Sequence, residues 1–174
     1  MKNNLKPLMK SDKQDWRTPL DFFQVLDNEF KFVADVADNN GITVFNRGKD
    51  GAIHEASHHP CDSLSSTWST LDKHHVTYYL NPPYETALQT KFIKQAAYVG
   101  TKTFGTVVCL IPARPDTKLW HEVIAPYCSE IRFIKGRLTF EGAGHPAPFP
   151  SALVIFGGYN HSQVIKFWDW KNEK

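Results

Sequence analysis

Four consecutive residues, Asn81-Pro82-Pro83-Tyr84, form a stiff loop that is suited to holding a planar amino group. The two prolines fix two φ angles and remove two N–H donors, and Pro82 favours an extended conformation at Asn81. The loop therefore presents an amide oxygen, at least one free backbone carbonyl and an aromatic ring. Acceptors that hold both N–H bonds of a conjugated NH2 group favour a pyramidal nitrogen, whose lone pair can attack an electrophilic methyl group. Such catalysis depends on positioning and electrostatics.

The segments around this loop predict an open α/β sheet, because strand and helix patterns alternate along the chain. Residues 76–80 are expected to be a strand that ends at the loop, and residues 85–98 the helix that follows it. Further strands are predicted at 32–36, 42–45, 106–111, 131–134, 137–140 and 152–156, with helices after Thr18-Pro19 and after Asp116. Such sheets bind ligands at the carboxyl ends of their strands, so Asp35 becomes a second candidate site residue.

The 174 residues, 41% of them hydrophobic and 22% charged, predict one globular domain. We expect a flexible basic arm at 1–14 and a single domain at 15–174. No apolar run reaches the roughly 18 residues of a membrane span, and no apolar segment follows the basic start as in a secretory signal. Three cysteines without CxxC spacing favour a reducing compartment, so a cytoplasmic location is expected.

Several segments in the same order resemble the phage-type DNA adenine-N6 methyltransferases, which use S-adenosylmethionine. Besides the Asn-Pro-Pro-Tyr loop, they are 16–19 (WRTP) with Phe22-Phe23, 34–37 (ADVA), 110–114 (LIPAR), 116–118 (DTK), 133–138 (FIKGRL) with Phe140, and 148–151 (PFPS). The resemblance implies a Rossmann-like class I methyltransferase fold. This fold is a mostly parallel open sheet with helices on both faces and an antiparallel C-terminal β segment. Many methyltransferases have a Gly-rich loop after the first strand, but here Gly41 alone follows, and the phage-type family also tends to lack that loop.

The same resemblance implies the substrate and the site residues. The substrate is an adenine flipped out of double-stranded DNA, and S-adenosylmethionine leaves as S-adenosylhomocysteine. The implied catalytic residues are Asn81, Pro82, Pro83 and Tyr84. The implied cofactor-binding residues are Thr18, Pro19, Asp35, Asp62 and Asn81.

Four basic residues are predicted to contact DNA. Arg114 and Lys118 flank the start of a predicted helix, and Lys135 and Arg137 flank Gly136. Cations at these positions can meet phosphates or guanine edges. The alternative is that they are solvated surface charges.

A cluster of possible metal ligands lies in the polar stretch 40–75, in which the strand at 42–45 is the one element predicted. His54, His58, His59 and Cys61 include residue types that bind Zn²⁺. No second pair follows at finger-like spacing, so a polar loop or a DNA-facing segment is favoured and no metal is predicted. Trp68, in the same stretch, is a possible lining residue of a base pocket.

Three functions remain open from the sequence. The favoured one is methylation of adenine N6 in double-stranded DNA. The loop also suits an amino group in RNA or in a protein glutamine, and the missing Gly-rich loop leaves open a non-catalytic DNA-binding module. A homodimer stays open as a further partner, whereas the DNA sequence recognised and membership of a restriction-modification pair are not predicted.

Overall fold

One mixed sheet lies at the centre of the computed structural model, which describes residues 17–38, 41–47, 49, 53–60, 64, 68, 75–157 and 162–172. The described strands are β1 (Ala34–Asp38), β2 (Gly41–Arg47), β3 (Ile53–Pro60), β4 (Thr77–Leu80), β5 (Thr106–Pro112), β6 (Glu130–Ile134), β7 (Ser151–Phe156) and β8 (Val164–Trp168). Their order across the sheet is β3-β2-β1-β4-β5-β7-β6-β8. The predicted arm at 1–14 lies outside the described residues.

Strand direction determines which chain ends meet at one edge of this sheet. β1 and β5 both pair in parallel with β4, and β8 pairs in parallel with β6. β7 pairs antiparallel with both β5 and β6, so β6 runs in the same direction as β5. The carboxyl ends of β1, β4, β5 and β6 therefore lie at the same edge. This edge is where the predicted loop at residues 81–84 emerges.

The sheet was expected to be mostly parallel. Most described strands do run in one direction, but several neighbouring strands pair antiparallel. Among the described strands, β2 and β7 run against the other six. The reversal of β7 is the expected antiparallel C-terminal segment. The antiparallel pairing of β2 with β1 and β3 was not expected, because the polar composition of the stretch 40–75 hid the hairpin.

Helices cover both faces of the sheet, as predicted. They are α1 (Leu20–Phe30), α2 (Thr86–Lys102), a π-helical turn (Trp120–Ile124) and a final α-helical turn, α3 (Ala125–Tyr127). Phe22 and Leu26 of α1 pack on one face. Ile93 of α2 and Ile124 of the π-helical turn pack on the other. Every residue of β7, and all of β5 except Thr106, is buried, which explains their almost continuous apolar sequence.

Two predictions about the C-terminal part were wrong. Residues 137–140 form no strand: Leu138 and Phe140 are buried at alternate positions, but the Leu138 carbonyl accepts from the Ala147 N–H within a loop. The alternating apolar residues therefore reflect the burial of two side chains in a loop and not the pairing of a strand. The sequence analysis also missed β8, whose apolar, partly β-branched sequence is typical of a strand.

In the described part of the chain, no helix has both the length and the apolar character needed to cross a membrane.

Candidate active site

Asn81 lies immediately after β4, between the ends of β1 and β5. β4 is buried from Tyr78 to Leu80, which anchors the strand from which the loop emerges. Pro82 is also buried, whereas Asn81 is only partly buried. The loop therefore has a packed base, and its amide lies near the surface at the edge of the sheet.

Hydrogen bonds orient both ends of the Asn81 amide. Its Nδ2 donates to Thr18 Oγ1 over 3.2 Å. Its Oδ1 accepts from the Tyr84 hydroxyl over 3.0 Å. A carbonyl oxygen has two lone pairs and can accept more than one hydrogen bond.

The Tyr84 ring is fixed by two phenylalanines. It makes edge-to-face contacts with Phe149, at 5.3 Å between centroids, and with Phe140, at 6.1 Å. Burial raises the pKa of the Tyr84 hydroxyl, because the phenolate form loses its hydration. The hydroxyl therefore stays protonated and serves as a donor. The burial of Phe140 in the loop 137–140 thus serves to position Tyr84.

Tyr79 extends the hydrogen-bonded group through Thr18, whose Oγ1 lies 2.6 Å from the Tyr79 hydroxyl. Tyr79 is buried against Phe23 and Phe32, and this burial raises the pKa of its hydroxyl. Thr18 reaches this position because residue 17 forms an isolated antiparallel bridge with Glu141. The chain Tyr79–Thr18–Asn81–Tyr84 therefore joins residues distant in sequence. Tyr79 was not predicted as a site residue. Its position two residues before Asn81 was a usable signal, because side chains two apart along a strand point to the same face.

Asp35 lies on β1 directly beside Tyr79 of β4 in the parallel register. Its Oδ1 accepts from the Ala37 N–H over 3.0 Å. Desolvation is the largest influence on this half-buried carboxyl, and it raises the pKa of Asp35 to about 7. A carboxylate in this position gains from a cationic or hydroxyl donor, and it is near the Asn81 loop, as the sequence predicted. Pro19 follows Thr18 directly and precedes α1.

The four predicted DNA-contacting residues fall into two groups at the same edge of the sheet. Arg114 and Lys118 line one cavity in the segment that follows β5. Lys135 follows β6, and its Nζ is paired with Asp169 over 2.6 Å. Arg137 is exposed in the loop beyond Gly136. The structure therefore brings Arg114 and Lys118 together and separates them from Lys135 and Arg137.

Other predicted residues lie elsewhere or outside the described part. Asp62 and Cys61 are not among the described residues, and of His54, His58 and His59 only the backbone, in β3, is described. Among the described residues there is no cluster of side chains suited to a metal ion. Trp68 is completely buried, and its ring stacks on Phe92. It therefore belongs to the core between the sheet and α2.

Comparison with known families gives one match. The model of the family described as DNA N-6-adenine-methyltransferase (Dam) matches residues 6–152, which is most of the chain. The matched range contains Thr18, Asp35, Asn81 and Tyr84. Comparisons with curated proteins and with solved structures gave no match.

Proposed function

The chain belongs to the DNA N-6-adenine-methyltransferase (Dam) family, and we propose that it methylates N6 of adenine in double-stranded DNA with S-adenosylmethionine as donor. The observation that carries this proposal is the orientation of Asn81. Its amide is held between Thr18 and Tyr84 at the edge where the strands end. Family membership supports the DNA adenine methyltransferase activity, and the geometry supports the role of the loop.

The loop acts on the amine nitrogen. Asn81 Oδ1 and the carbonyl oxygen of Pro82 accept the two N–H bonds of N6, which favours a pyramidal nitrogen with an available lone pair. No strong base is required before attack, because the N–H becomes acidic only after the nitrogen has gained a fourth substituent. After methyl transfer N6 carries a positive charge, and the proton of the N–H that is hydrogen-bonded to Asn81 Oδ1 passes to water. These contributions are positioning and electrostatic stabilisation.

Tyr84 receives the base. An adenine inside a duplex does not expose N6 to an enzyme, so the nucleotide rotates out of the stack into the site. The Tyr84 ring, held by Phe140 and Phe149, stacks on the adenine. Stacking of a base on an aromatic side chain is worth about 1–3 kcal/mol.

The residues near β1 fit the cofactor. Asp35 is a half-buried carboxyl whose pKa is raised to about 7, so its carboxylate form gains from a cation such as an ammonium group. In our proposal Asp35 accepts from the cofactor's ammonium or a hydroxyl, Thr18, Pro19 and Asn81 line the site beside it, and Asp62 contacts the adenine of the cofactor. When bound, S-adenosylmethionine supplies an electrophilic methyl group whose bond to sulfur breaks as the bond to nitrogen forms, with the electron pair left on a neutral thioether.

Substitution of Asn81 tests this function. We expect Asn81→Ala to lower kcat for transfer of labelled methyl to duplex DNA by at least about 100-fold, since a positioned polar group of this kind contributes about 2.7–4 kcal/mol. Binding of S-adenosylhomocysteine, measured by calorimetry, should change by less than about tenfold, because Asp35 remains. RNA and total protein are assayed beside DNA in the same experiment.

The matched control is Asn28→Ala, at an exposed position of α1 away from the loop. It should retain wild-type activity. Retained methyl transfer by Asn81→Ala contradicts the mechanism. Transfer by the wild type to RNA or protein, and not to DNA, contradicts the proposed substrate.

A further inference from the structure

A cavity of about 310 Å³ lies between α2 and the segment that follows β5. One face of α2 contributes polar side chains at helical spacing, namely Thr86, Gln89, Thr90 and Lys94. The facing segment contributes Arg114, Thr117 and Lys118, followed by the π-helical turn. The two walls belong to different parts of the chain, so only the fold creates this space.

Hydrogen-bond donors predominate in the polar part of the lining. Lys94, Arg114 and Lys118 are cationic, and lysine and arginine have no acceptor atoms. Among the described residues that line the cavity, Glu122 is the one carboxylate. The carboxylate of Glu85, the residue before Thr86, is already bonded to the Ala87 and Leu88 N–H groups of α2. The cavity therefore favours an anion that accepts several hydrogen bonds.

One donor in the wall is buried without an acceptor. Gln89 Nε2 is inaccessible to solvent, and no described residue accepts a hydrogen bond from it. A buried donor without a partner is unfavourable for the folded protein. Gln89 lines the cationic cavity, so a rotation of its side chain would bring this donor to a ligand oxygen.

The remaining wall is apolar. Pro112, Leu119 and Trp120 line it, and Trp120 is held by a stack on Phe133 with centroids 6.1 Å apart. An apolar wall next to a group of donors suits a phosphate that carries a sugar. Cavities for small ligands in proteins begin at about 300 Å³, so one nucleotide unit fits this volume.

The cavity is close to the Asn81 loop along the chain. Thr86 is five residues from Asn81, which limits the distance between their Cα atoms to about 17 Å even in a fully extended chain. Pro112 ends β5, the strand directly beside β4. One strand of a duplex, rising about 3.4 Å per nucleotide, therefore reaches the cavity within about five nucleotides of the target base.

We propose that this cavity binds a phosphodiester group and the attached deoxyribose of the DNA strand near the target adenine. Gln89, Arg114 and Lys118 hold the phosphate oxygens, and Pro112 and Trp120 contact the sugar. The inference rests on the proposed function for the identity of the nucleic acid. It adds a positioning site on the face of the sheet opposite Tyr79 and α1.

The test measures binding of a short fluorescein-labelled DNA duplex by anisotropy over a range of KCl concentrations. Lys118→Ala should weaken binding by about two- to tenfold and lower the slope of log K against log salt by about one phosphate contact. Gln89→Leu removes a neutral donor, so it should weaken binding without changing this slope. Its thermal midpoint should be equal to or above that of the wild type, because the unpartnered donor is gone. A residue with a merely structural role would show a lower midpoint and unchanged DNA affinity.

Lys91→Ala is the matched control, since it removes the same charge from an exposed position of α2 outside the cavity. The inference is overturned if Lys118→Ala behaves like Lys91→Ala, or if Gln89→Leu keeps full DNA affinity. Competition by thymidine 3′-monophosphate at micromolar concentration also overturns it, because that identifies a mononucleotide site. A requirement for millimolar nucleotide supports a contact to polymeric DNA.

Methyl transfer by the wild type, assayed in parallel, separates this inference from the proposed function. If the wild type methylates DNA while the cavity variants bind normally, the cavity inference alone fails. If the variants lose DNA affinity but the wild type transfers no methyl group to DNA, the proposed activity alone fails.

Discussion

At the scale of single residues, the orientation of Asn81 depends on side chains far away in the sequence. Thr18 accepts from one end of the amide and Tyr84 donates to the other. Each bond contributes about 0.5–1.5 kcal/mol to stability, but together they select one orientation of the amide. In the proposed function the oxygen is oriented before the substrate binds, which lowers the entropy lost on reaching a reactive geometry.

Asp35 gives the free protein a specific dependence on pH. The pKa of this carboxyl rises from its ordinary 3.8 to about 7 on folding. The folded state therefore binds more protons than the unfolded state between these values, and stability falls as pH rises through this range. Asp35 should lower the wild-type free energy of unfolding by up to about 4 kcal/mol between about pH 4 and pH 8. We expect Asp35→Asn to remove this decrease. Urea unfolding at several pH values measures this.

Asp116→Asn, in an exposed turn, is the control for Asp35 and should keep the wild-type pH profile. Binding of S-adenosylhomocysteine should change in the opposite direction and strengthen as pH rises through about 7, because the ionised carboxylate accepts from the ammonium group. This account is contradicted if the wild type and Asp35→Asn change equally in stability between pH 4 and pH 8.

At the scale of elements, α2 packs on β7 through a close approach at Gly100. A Cβ atom at this position would lie 2.6 Å from the Phe156 Cβ and from the Gly157 N. A Cβ atom at Gly157, whose φ is +100°, would in turn lie 2.5 Å from the Gly105 carbonyl oxygen, so the backbone is closely packed there as well. The absence of a side chain at Gly100 therefore sets the distance between the helix and the sheet.

Gly100→Ala should destabilise the protein although alanine is the better helix former. The change gains about 0.5–1 kcal/mol of helix propensity, but the overlap with β7 costs more, and we expect a net loss of about 1–3 kcal/mol. Chemical unfolding measures the loss. Lys91→Ala, exposed on the same helix, should stay within about 0.5 kcal/mol of the wild type. A stabilised Gly100→Ala variant would show that α2 and β7 separate easily.

At the scale of the whole molecule, the eight described strands differ in how well they are enclosed. β5 lies between β4 and β7 with helices on both faces, whereas β8 pairs with β6 alone among the described strands. The side chains of Val164, Ile165 and Phe167 in β8 are exposed. In β8 only Trp168 is buried, so local opening of β8 exposes less additional apolar surface than opening of β5 or β7.

Hydrogen exchange followed by mass spectrometry should resolve this difference. Peptides from β5 and β7 are expected to exchange last, at rates set by global unfolding, and peptides from β8 distinctly earlier. The Asn81 loop should gain protection when S-adenosylhomocysteine is present, while β8 should not. Equal protection of β8 and β5 in the free protein would contradict this order.

The sequence by itself predicted the Asn81 loop, the helix after it, and the buried strands before and beyond it. It placed Asp35 at the end of a strand, whereas Asp35 is the second residue of β1, which continues to Asp38. These features follow from local rules: proline fixes φ, and a buried strand needs continuous apolar residues. The sequence also indicated the family, because the motifs occur in the expected order from Thr18 to Ser151.

Only the tertiary structure decided which residues surround Asn81 and which strands pair. Tyr79 and Thr18 meet through a bridge between residues 17 and 141, and Phe140 supports Tyr84 from a loop whose alternating burial imitates a strand. The cavity beside Gln89 likewise needs α2 and the segment after β5 to pack together. A hydrogen bond or a cavity wall depends on distances in space between residues far apart in the chain, and periodicity along the chain carries no such distances.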